Sequence, residues 1–241
     1  MAVKHTNPCG ISSAKTLYEA YLNAYNADPI SIYGGILVTD GVMDAATAQK
    51  MGEIFLEVVV APDYTPEALA ILKEKKNIRL LKLNDIAYNG YAFETKKVLG
   101  GLLVQERDRK LCDELKVVTD RQPTNEETDD LLFAYKAVKN TKSNAVSLVK
   151  NKTLIASGPG QTNRIWALEN AIRQSNSDTR GSVMASDAYF PFDDCVAAAA
   201  KAGITAIIQP GGSIRDADSI KLCNENNIAM IFTGVRHFKH S

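Results

Sequence analysis

The chain has 241 residues, 45% hydrophobic and 23% charged, enough for one large domain or two small ones around a substantial core. Its 28 basic and 28 acidic side chains cancel, which excludes a global field that would gather nucleic acid or an anionic membrane. The sequence holds no apolar run of about 18 residues and no apolar signal core at its start, so neither a membrane span nor a secretory leader is expected.

Strand-like and helix-like stretches alternate along the chain, which predicts α/β layers. Residues 12–27 read as a helix with Leu17, Ala20, Tyr21 and Ala24 on one face. Residues 44–53 form a second helix leading into the apolar run 58–61, which Pro62 ends. Thr65-Pro66-Glu67 is a helix start, with a capping hydroxyl and proline in the first turn. Residues 78–83 follow as a short strand, and residues 84–97 are less regular. Residues 99–105 look extended, and Gly100-Gly101 inside them suggests a bend.

Residues 123–140 make a strong helix, capped by Thr124 with Glu126 and Glu127 in its first turn. Strands at 145–149 and 153–157 join through the tight turn Lys150-Asn151-Lys152, and a helix occupies 165–174. The polar stretch 176–180 reads as a flexible connection. Strand and helix units then repeat at 182–186, 195–202, 205–208, 214–226 and 228–232, with short, right-handed connections. No fixed-period repeat or low-complexity tract stands out. The four cysteines, Cys9, Cys112, Cys195 and Cys223, are scattered, which fits reduced thiols in a cytoplasm.

Several segments could carry chemistry. In Lys4-His5-Thr6-Asn7-Pro8-Cys9-Gly10, proline and glycine would end a strand in a turn, leaving Lys4 and His5 at a strand's carboxyl end, where ligands sit in open α/β sheets. Lysine beside histidine offers a fixed donor and a group titrating near neutrality; the plainer reading is a solvated lysine and a turn-stabilising histidine. Ser157-Gly158-Pro159-Gly160-Gln161, with Arg164 just beyond, and Gln209-Pro210-Gly211-Gly212-Ser213 each join a strand to a helix. Free N–H groups there suit an anion, or the glycines simply allow a sharp turn. Neither matches a Walker or dinucleotide motif.

Ser186-Asp187-Ala188-Tyr189-Phe190-Pro191-Phe192 puts aromatics between carboxylates, either to stack on a planar heterocycle or to plug the core. Asn144 could orient a substrate amide or satisfy its turn, and the basic, aromatic tail 235–240 could meet a nucleotide or fray. Zinc deamination would need His-x-Glu and Pro-Cys-x-x-Cys; here His5 precedes Thr6-Asn7 and Pro8-Cys9 precedes Gly10-Ile11-Ser12, so a zinc site is rejected.

Taken together and in order, the blocks at 4–10, 143–144, 158–164, 186–192, 209–213 and 236–240 resemble the transformylase half of the bifunctional purine-biosynthesis family that joins AICAR transformylase to IMP cyclohydrolase. The resemblance covers nearly the whole chain. It implies two cytidine-deaminase-like α/β/α layered subdomains without zinc, at 1–120 and 121–241, the second opening with a helical connection. It implies formyl transfer from 10-formyltetrahydrofolate, as cosubstrate, to the 5-amino group of aminoimidazole carboxamide ribonucleotide, in a cytoplasmic homodimer with a shared active site that binds nucleotide and folate but neither nucleic acid nor membrane.

Carried over residue by residue, Lys4, His5 and Asn144 match the catalytic group. Gly34, Glu57, Arg164, Tyr189, Arg236 and Phe238 match nucleotide contacts, and Asp194 matches a carboxylate on the folate side. Some members hold a monovalent cation near Val138, Thr141 and Asp187. The resemblance also places the cyclohydrolase half, and an upstream part of the transformylase half, outside these 241 residues. The alternative is therefore a shortened homologue that binds nucleotide or dimerises without turnover.

Overall fold

The computed structural model describes residues 1–84 and 92–240; residues 85–91, part of the stretch read as irregular, lie outside the described residues. The chain traces one path twice. It first lays down β1 (Ala2–Lys4), β2 (Asn7–Gly10), α1 (Leu17–Ala27), β3 (Ile36–Val38), α2 (Ala45–Met51), β4 (Val58–Ala61), α3 (Pro66–Lys73) and β5 (Arg79–Lys82). Their sheet runs β2-β1-β3-β4-β5. β1 is antiparallel to β2 and β3, and β3, β4 and β5 are parallel.

A hairpin, β6 (Phe93–Val98) and β7 (Gly101–Glu106), stands apart with every residue exposed. After β8 (Lys116–Val117) and α4 (Asn125–Lys139) the same succession returns: β9 (Val146–Lys150), β10 (Thr153–Gly158), α5 (Arg164–Gln174), β11 (Val183–Ser186), α6 (Asp194–Lys201), β12 (Ala206–Gln209), α7 (Asp216–Glu225) and β13 (Ala229–Phe232). This sheet runs β10-β9-β11-β12-β13, with β8 added at its far edge. Antiparallel and parallel pairings fall in the same places as in the first sheet.

Helix starts follow local chemistry. Thr16, Asp44, Thr65, Thr124 and Asn163 each accept an N–H from the first turn of the helix they precede. Thr124 and Glu127 form a reciprocal capping box.

The second sheet is covered on both faces. Leu148, Met184, Ile207 and Met230 meet α5, α6 and α7, while Val149, Val183, Ile208 and Ile231 meet Leu131, Tyr135 and Val138 of α4. Burial on both faces fits the mainly apolar sequences of these strands. In the first sheet, Leu37, Val59 and Ala61 pack on α2 and α3, whereas Ile36, Val58 and Val60 on the other face are only partly covered.

Four expectations change. The turn in the first segment is His5-Thr6, not Pro8–Gly10: both residues have positive φ, 50° and 63°, and Lys4 pairs with Asn7 across it. Pro8 is tolerated because β2 is an edge strand, where a missing N–H breaks no ladder. The first helix starts at Leu17 because residues 11–13 pair with 152–154 instead: Leu154 N donates to Ile11 O at 2.8 Å and Ser13 N to Lys152 O at 3.0 Å. Gly100, with φ +82°, is the tip of the β6–β7 hairpin rather than a bend within one strand. The 176–180 stretch lies inside the second unit and is tied down, with Asn176 Nδ2 donating to Ala27 O and Thr179 Oγ1 to Ala202 O.

Candidate active site

Lys4 closes β1, but β1 runs antiparallel to β3, so Lys4 and His5 sit beside the amino ends of β3 and β4, not at the carboxyl edge expected of a ligand site in an open sheet. Lys4 Nζ donates to Tyr33 O at 2.7 Å, which leaves two of its three hydrogens for a ligand. His5 is exposed at the turn. Gly34 and Glu57 share this edge. Gly34, at φ +70°, donates its N–H to Phe55 O at 2.8 Å, and Glu57 is paired with Arg79 at 2.7 Å. Beside them Tyr33 and Phe55 pack ring to ring, 5.7 Å between centroids, in the wall of a cleft of about 450 Å³.

The amino edge of the first sheet meets the carboxyl edge of the second. Lys142 N donates to Asn7 Oδ1 at 3.0 Å, and a second cleft of about 220 Å³ is lined by Lys4, His5, Asn7 and Asp28 from one side and Ser157 and Pro159 from the other. Ser157 Oγ is buried without a hydrogen-bond partner. Cys9 lines the same cleft, and burial, with the charge of Asp28 next, pushes its thiol up to about 11.

Behind this cleft lies a polar hub. Asn144 N donates to Gln161 O at 3.1 Å, Gln161 N returns to Asn144 O at 3.2 Å, and Asn144 Nδ2 also donates to Gln161 O at 2.9 Å. Arg164, 5% exposed, donates through Nη2 to Asn144 Oδ1 at 2.6 Å and through Nη1 to Ser186 Oγ at 2.9 Å. Its ion-pair partner is Asp187, which is fully buried.

The tail is fixed rather than frayed. His237 N donates to Asp187 O at 2.9 Å, its Nδ1 lies 2.5 Å from Asp108 Oδ2 and its Nε2 lies 2.9 Å from Leu111 O. Lys239 N donates to Ser143 Oγ and Ser143 N to Lys239 O, both at 3.0 Å. These bonds hold the tail against Ser143 and Asp187, and the Arg236 guanidinium lies 4.5 Å above the Phe238 ring.

The two glycine-rich turns prove to be internally satisfied. Gly160 N donates to Lys142 O, and Gly158 lets β10 approach α5, since a Cβ there would lie 1.9 Å from Ala167 O. At the second turn, Asp216 Oδ2 accepts from Gly212 N and Ser213 N at 2.7 and 3.1 Å, occupying the donors an anion would use. The aromatic loop divides. Phe190 is fully buried in the core, while Tyr189 and Phe192 are 40% and 51% exposed, Phe192 beneath Arg215. Asp194 opens α6, its Oδ1 accepting from Cys195 N at 2.7 Å. Among the described residues no group of three or more His, Cys, Asp or Glu could hold a metal ion, and no helix is long and apolar enough to cross a membrane.

Asn7, Ser157 and Gln161 fell within candidate segments of the sequence without individual roles, and Asp28 fell in none. Asn7 had a signal: an Asn directly after a hairpin turn commonly reaches a neighbouring backbone.

Residues 1–174 match the family described as AICARFT/IMPCHase bienzyme. Over 100% of its length the chain is 57% identical to the bifunctional purine biosynthesis protein PurH of Ruminiclostridium cellulolyticum, 54% to that of Caldicellulosiruptor saccharolyticus and 50% to that of Clostridioides difficile. It covers 48, 47 and 47% of those proteins, so the chain spans about half the length of the curated relatives it matches. Among solved structures, the apo dCMP deaminase of cyanophage S-TIM5 is similar with a TM-score of 0.33 and 17% identity, over 45% of this chain and 98% of that one.

Proposed function

The chain belongs to the AICARFT/IMPCHase bienzyme family, and we propose that it carries the formyl-transfer half of that pairing, moving a formyl group from 10-formyltetrahydrofolate to the 5-amino group of aminoimidazole carboxamide ribonucleotide in purine biosynthesis. The observation that supports this most is the bond from Lys142 N to Asn7 Oδ1, which ties the Lys4–His5 hairpin to the segment that leads into Asn144, beside a cleft that Lys4 and His5 line.

An amine conjugated to an imidazole ring is a weak nucleophile, so losing its proton as it attacks is worth most at this step. His5 is proposed to accept that proton. As the amine nitrogen bonds to the formyl carbon, the carbonyl pair moves onto oxygen, where the free hydrogens of Lys4 and Asn144 Nδ2 can meet it. Collapse breaks the bond to N10 of the folate, which leaves with a proton as tetrahydrofolate. Gly34, Glu57, Arg236, Phe238 and Tyr189 are proposed to border the nucleotide, and Asp194 the folate. Asp187 pairs with Arg164 through Oδ1, and its Oδ2, buried without a hydrogen-bond partner, is an oxygen that a monovalent cation near Val138 and Thr141 could use.

A second copy of the chain belongs to the proposal. Phe93, Leu99, Leu102, Leu103 and Val104 are each more than half exposed on or beside the β6–β7 hairpin, an apolar surface suited to cover by another protomer.

The test incubates the purified chain with the ribonucleotide and 10-formyltetrahydrofolate and follows tetrahydrofolate release. Turnover that disappears in His5→Ala is expected. No release with nucleotide binding intact would favour a non-catalytic, nucleotide-binding homologue.

A further inference from the structure

Backbone bonds tie the tail to the second unit: His237 N donates to Asp187 O at 2.9 Å, Lys239 and Ser143 pair, and the Tyr135 hydroxyl donates to Val235 O at 2.5 Å. Between the exposed Arg236 and Phe238, the side chain of His237 turns inward and is 1% exposed. Its ring meets the segment between β7 and β8. Nδ1 lies 2.5 Å from Asp108 Oδ2, Nε2 lies 2.9 Å from Leu111 O, and the Tyr135 ring packs edge-on at 4.9 Å between centroids. Asp108, 45% exposed, pairs through its other oxygen with Lys139 at the end of α4, at 3.2 Å, and Lys139 also donates to Lys110 O at 2.9 Å.

We infer that Asp108 is a positioning residue for the nucleotide site: acting through the His237 ring, it holds the tail so that Arg236 and Phe238 face the ribonucleotide. The inference rests on the reading of Arg236 and Phe238 as nucleotide contacts. It adds a residue that lies in none of the candidate segments of the sequence.

The hydrogen-bond roles allow the ring one orientation. Leu111 O can only accept, so Nε2 carries a hydrogen. Nδ1 then faces the Asp108 carboxylate with one proton held between them. Half a turn about the Cβ–Cγ bond would set ring carbons against both acceptors. One orientation is therefore enforced, and the residues on either side inherit it. Burial alternates across 236–238, exposed, buried, exposed, so fixing the middle side chain inward keeps its neighbours outward. The Arg236 guanidinium lies 4.5 Å above the Phe238 ring, so the two outward groups form one surface. A tail without this latch would have to be ordered as the nucleotide binds, and ordering long side chains at a binding site lowers affinity.

The test separates positioning from charge and from stability. Asp108→Ala removes a negative charge, which by charge alone favours binding of the anionic ribonucleotide. Positioning predicts the opposite: calorimetric titration of the purified chain with the ribonucleotide should give a Kd raised about tenfold, with Tm within about 2 °C of the parent. Asp108→Asn makes the same charge change, but its amide can donate to Nδ1 of a neutral ring. It should return Kd to within about threefold of the parent. In an Arg236→Ala background Asp108→Ala should cost less than about threefold, because much of its effect passes through that guanidinium. Unchanged or tighter binding in Asp108→Ala, equal losses in the Ala and Asn variants, or losses that multiply with Arg236→Ala overturn the inference.

His237→Phe keeps a ring against Tyr135 and loses both bonds. It should weaken binding as Asp108→Ala does, and parental affinity would equally overturn the role. If the unsubstituted chain does not bind the ribonucleotide, the nucleotide reading fails first. Amide hydrogen exchange then decides the latch: the His237 and Lys239 amides should exchange at least about tenfold faster in Asp108→Ala, and unchanged exchange at both refutes it.

Discussion

Giving Gly158 a methyl group should force β10 and α5 apart. A Cβ at this position would stand 1.9 Å from Ala167 O, 2.7 Å from its carbonyl carbon and 3.2 Å from its Cα, where ordinary contact begins at 3.4 Å. The shortfall against the oxygen is about 1.5 Å, and all three atoms are backbone, so no side chain can swing away. α5 would have to lift from a face where Ala167, Leu168 and Ala171 are fully buried, and protein interiors do not compress.

Overpacking of this kind costs about 1–3 kcal/mol, and the geometry puts Gly158→Ala at the top of that range, about 3 kcal/mol. Gly10 supplies an internal comparison. It ends β2 as Gly158 ends β10, but its Cβ would lie 2.8 Å from Ala24 O, so Gly10→Ala should cost about 1 kcal/mol. For a chain of this size these become falls in Tm of about 6–12 °C and about 2–4 °C. Urea unfolding followed by circular dichroism, with thermal scans of the same variants, measures both. A Gly158→Ala protein within about 0.5 kcal/mol of the parent, or one less affected than Gly10→Ala, would refute the steric argument.

Other expectations follow from single contacts. Thr124→Ala removes half of a capping box and should cost about 1 kcal/mol in urea unfolding, while Thr124→Ser should stay within a few tenths. Asp178 accepts from the Arg180 side chain and backbone, which hold its carboxyl down to about 2 from an ordinary 3.8. A depressed carboxyl stabilises the fold above its ordinary value and loses that contribution as pH falls towards about 2. In Arg180→Gln the carboxyl resonance should titrate near its ordinary value; a midpoint still near 2 would show that the guanidinium is not the cause. The Cys9 thiol, raised to about 11 by burial, should be ionised in only about one molecule per thousand at pH 8. Mass-mapped alkylation should therefore find it slow, and labelling at the rate of a free thiol would contradict the cleft as described.

What the sequence disclosed depended on how local the cause was. The helices at 66–73 and 125–139 announced themselves because Thr65-Pro66 and Thr124 with Glu127 act within one turn. The strands of the second sheet were legible because burial on both faces makes them mainly apolar. The start of the chain was harder. His5 and Thr6 adopt a left-handed turn without Gly or Asn, and residues 11–13 are held extended by partners about 140 positions away. The occupation of the Gly212 and Ser213 N–H groups was readable in principle, since Asp216 follows within four residues. The pairing of Arg164 with Asp187, 23 positions apart, and the docking of the tail on Asp108, Ser143 and Asp187 have no local signature. The doubled topology leaves no sequence period because different residues satisfy the same path. Lys4-His5-Thr6 and Lys150-Asn151-Lys152 make equivalent turns with little in common beyond the leading lysine and the sign of φ.

The antiparallel seam between residues 11–13 and 152–154 has a consequence for how the molecule can be divided. An open sheet edge offers a row of unpaired donors and acceptors to any passing strand. Here Ile11, Ser12 and Ser13 cover that row on β10, and Lys152, Thr153 and Leu154 return the favour, with Ser12 and Thr153 also sharing a hydroxyl bond at 2.9 Å. Cut in the exposed β6–β7 hairpin, the two pieces would each carry a sticky margin that the other was shaped to cover. Produced singly they should self-associate; produced together they should reassemble as a complementation pair, with the hairpin tip serving as the natural place to break the chain.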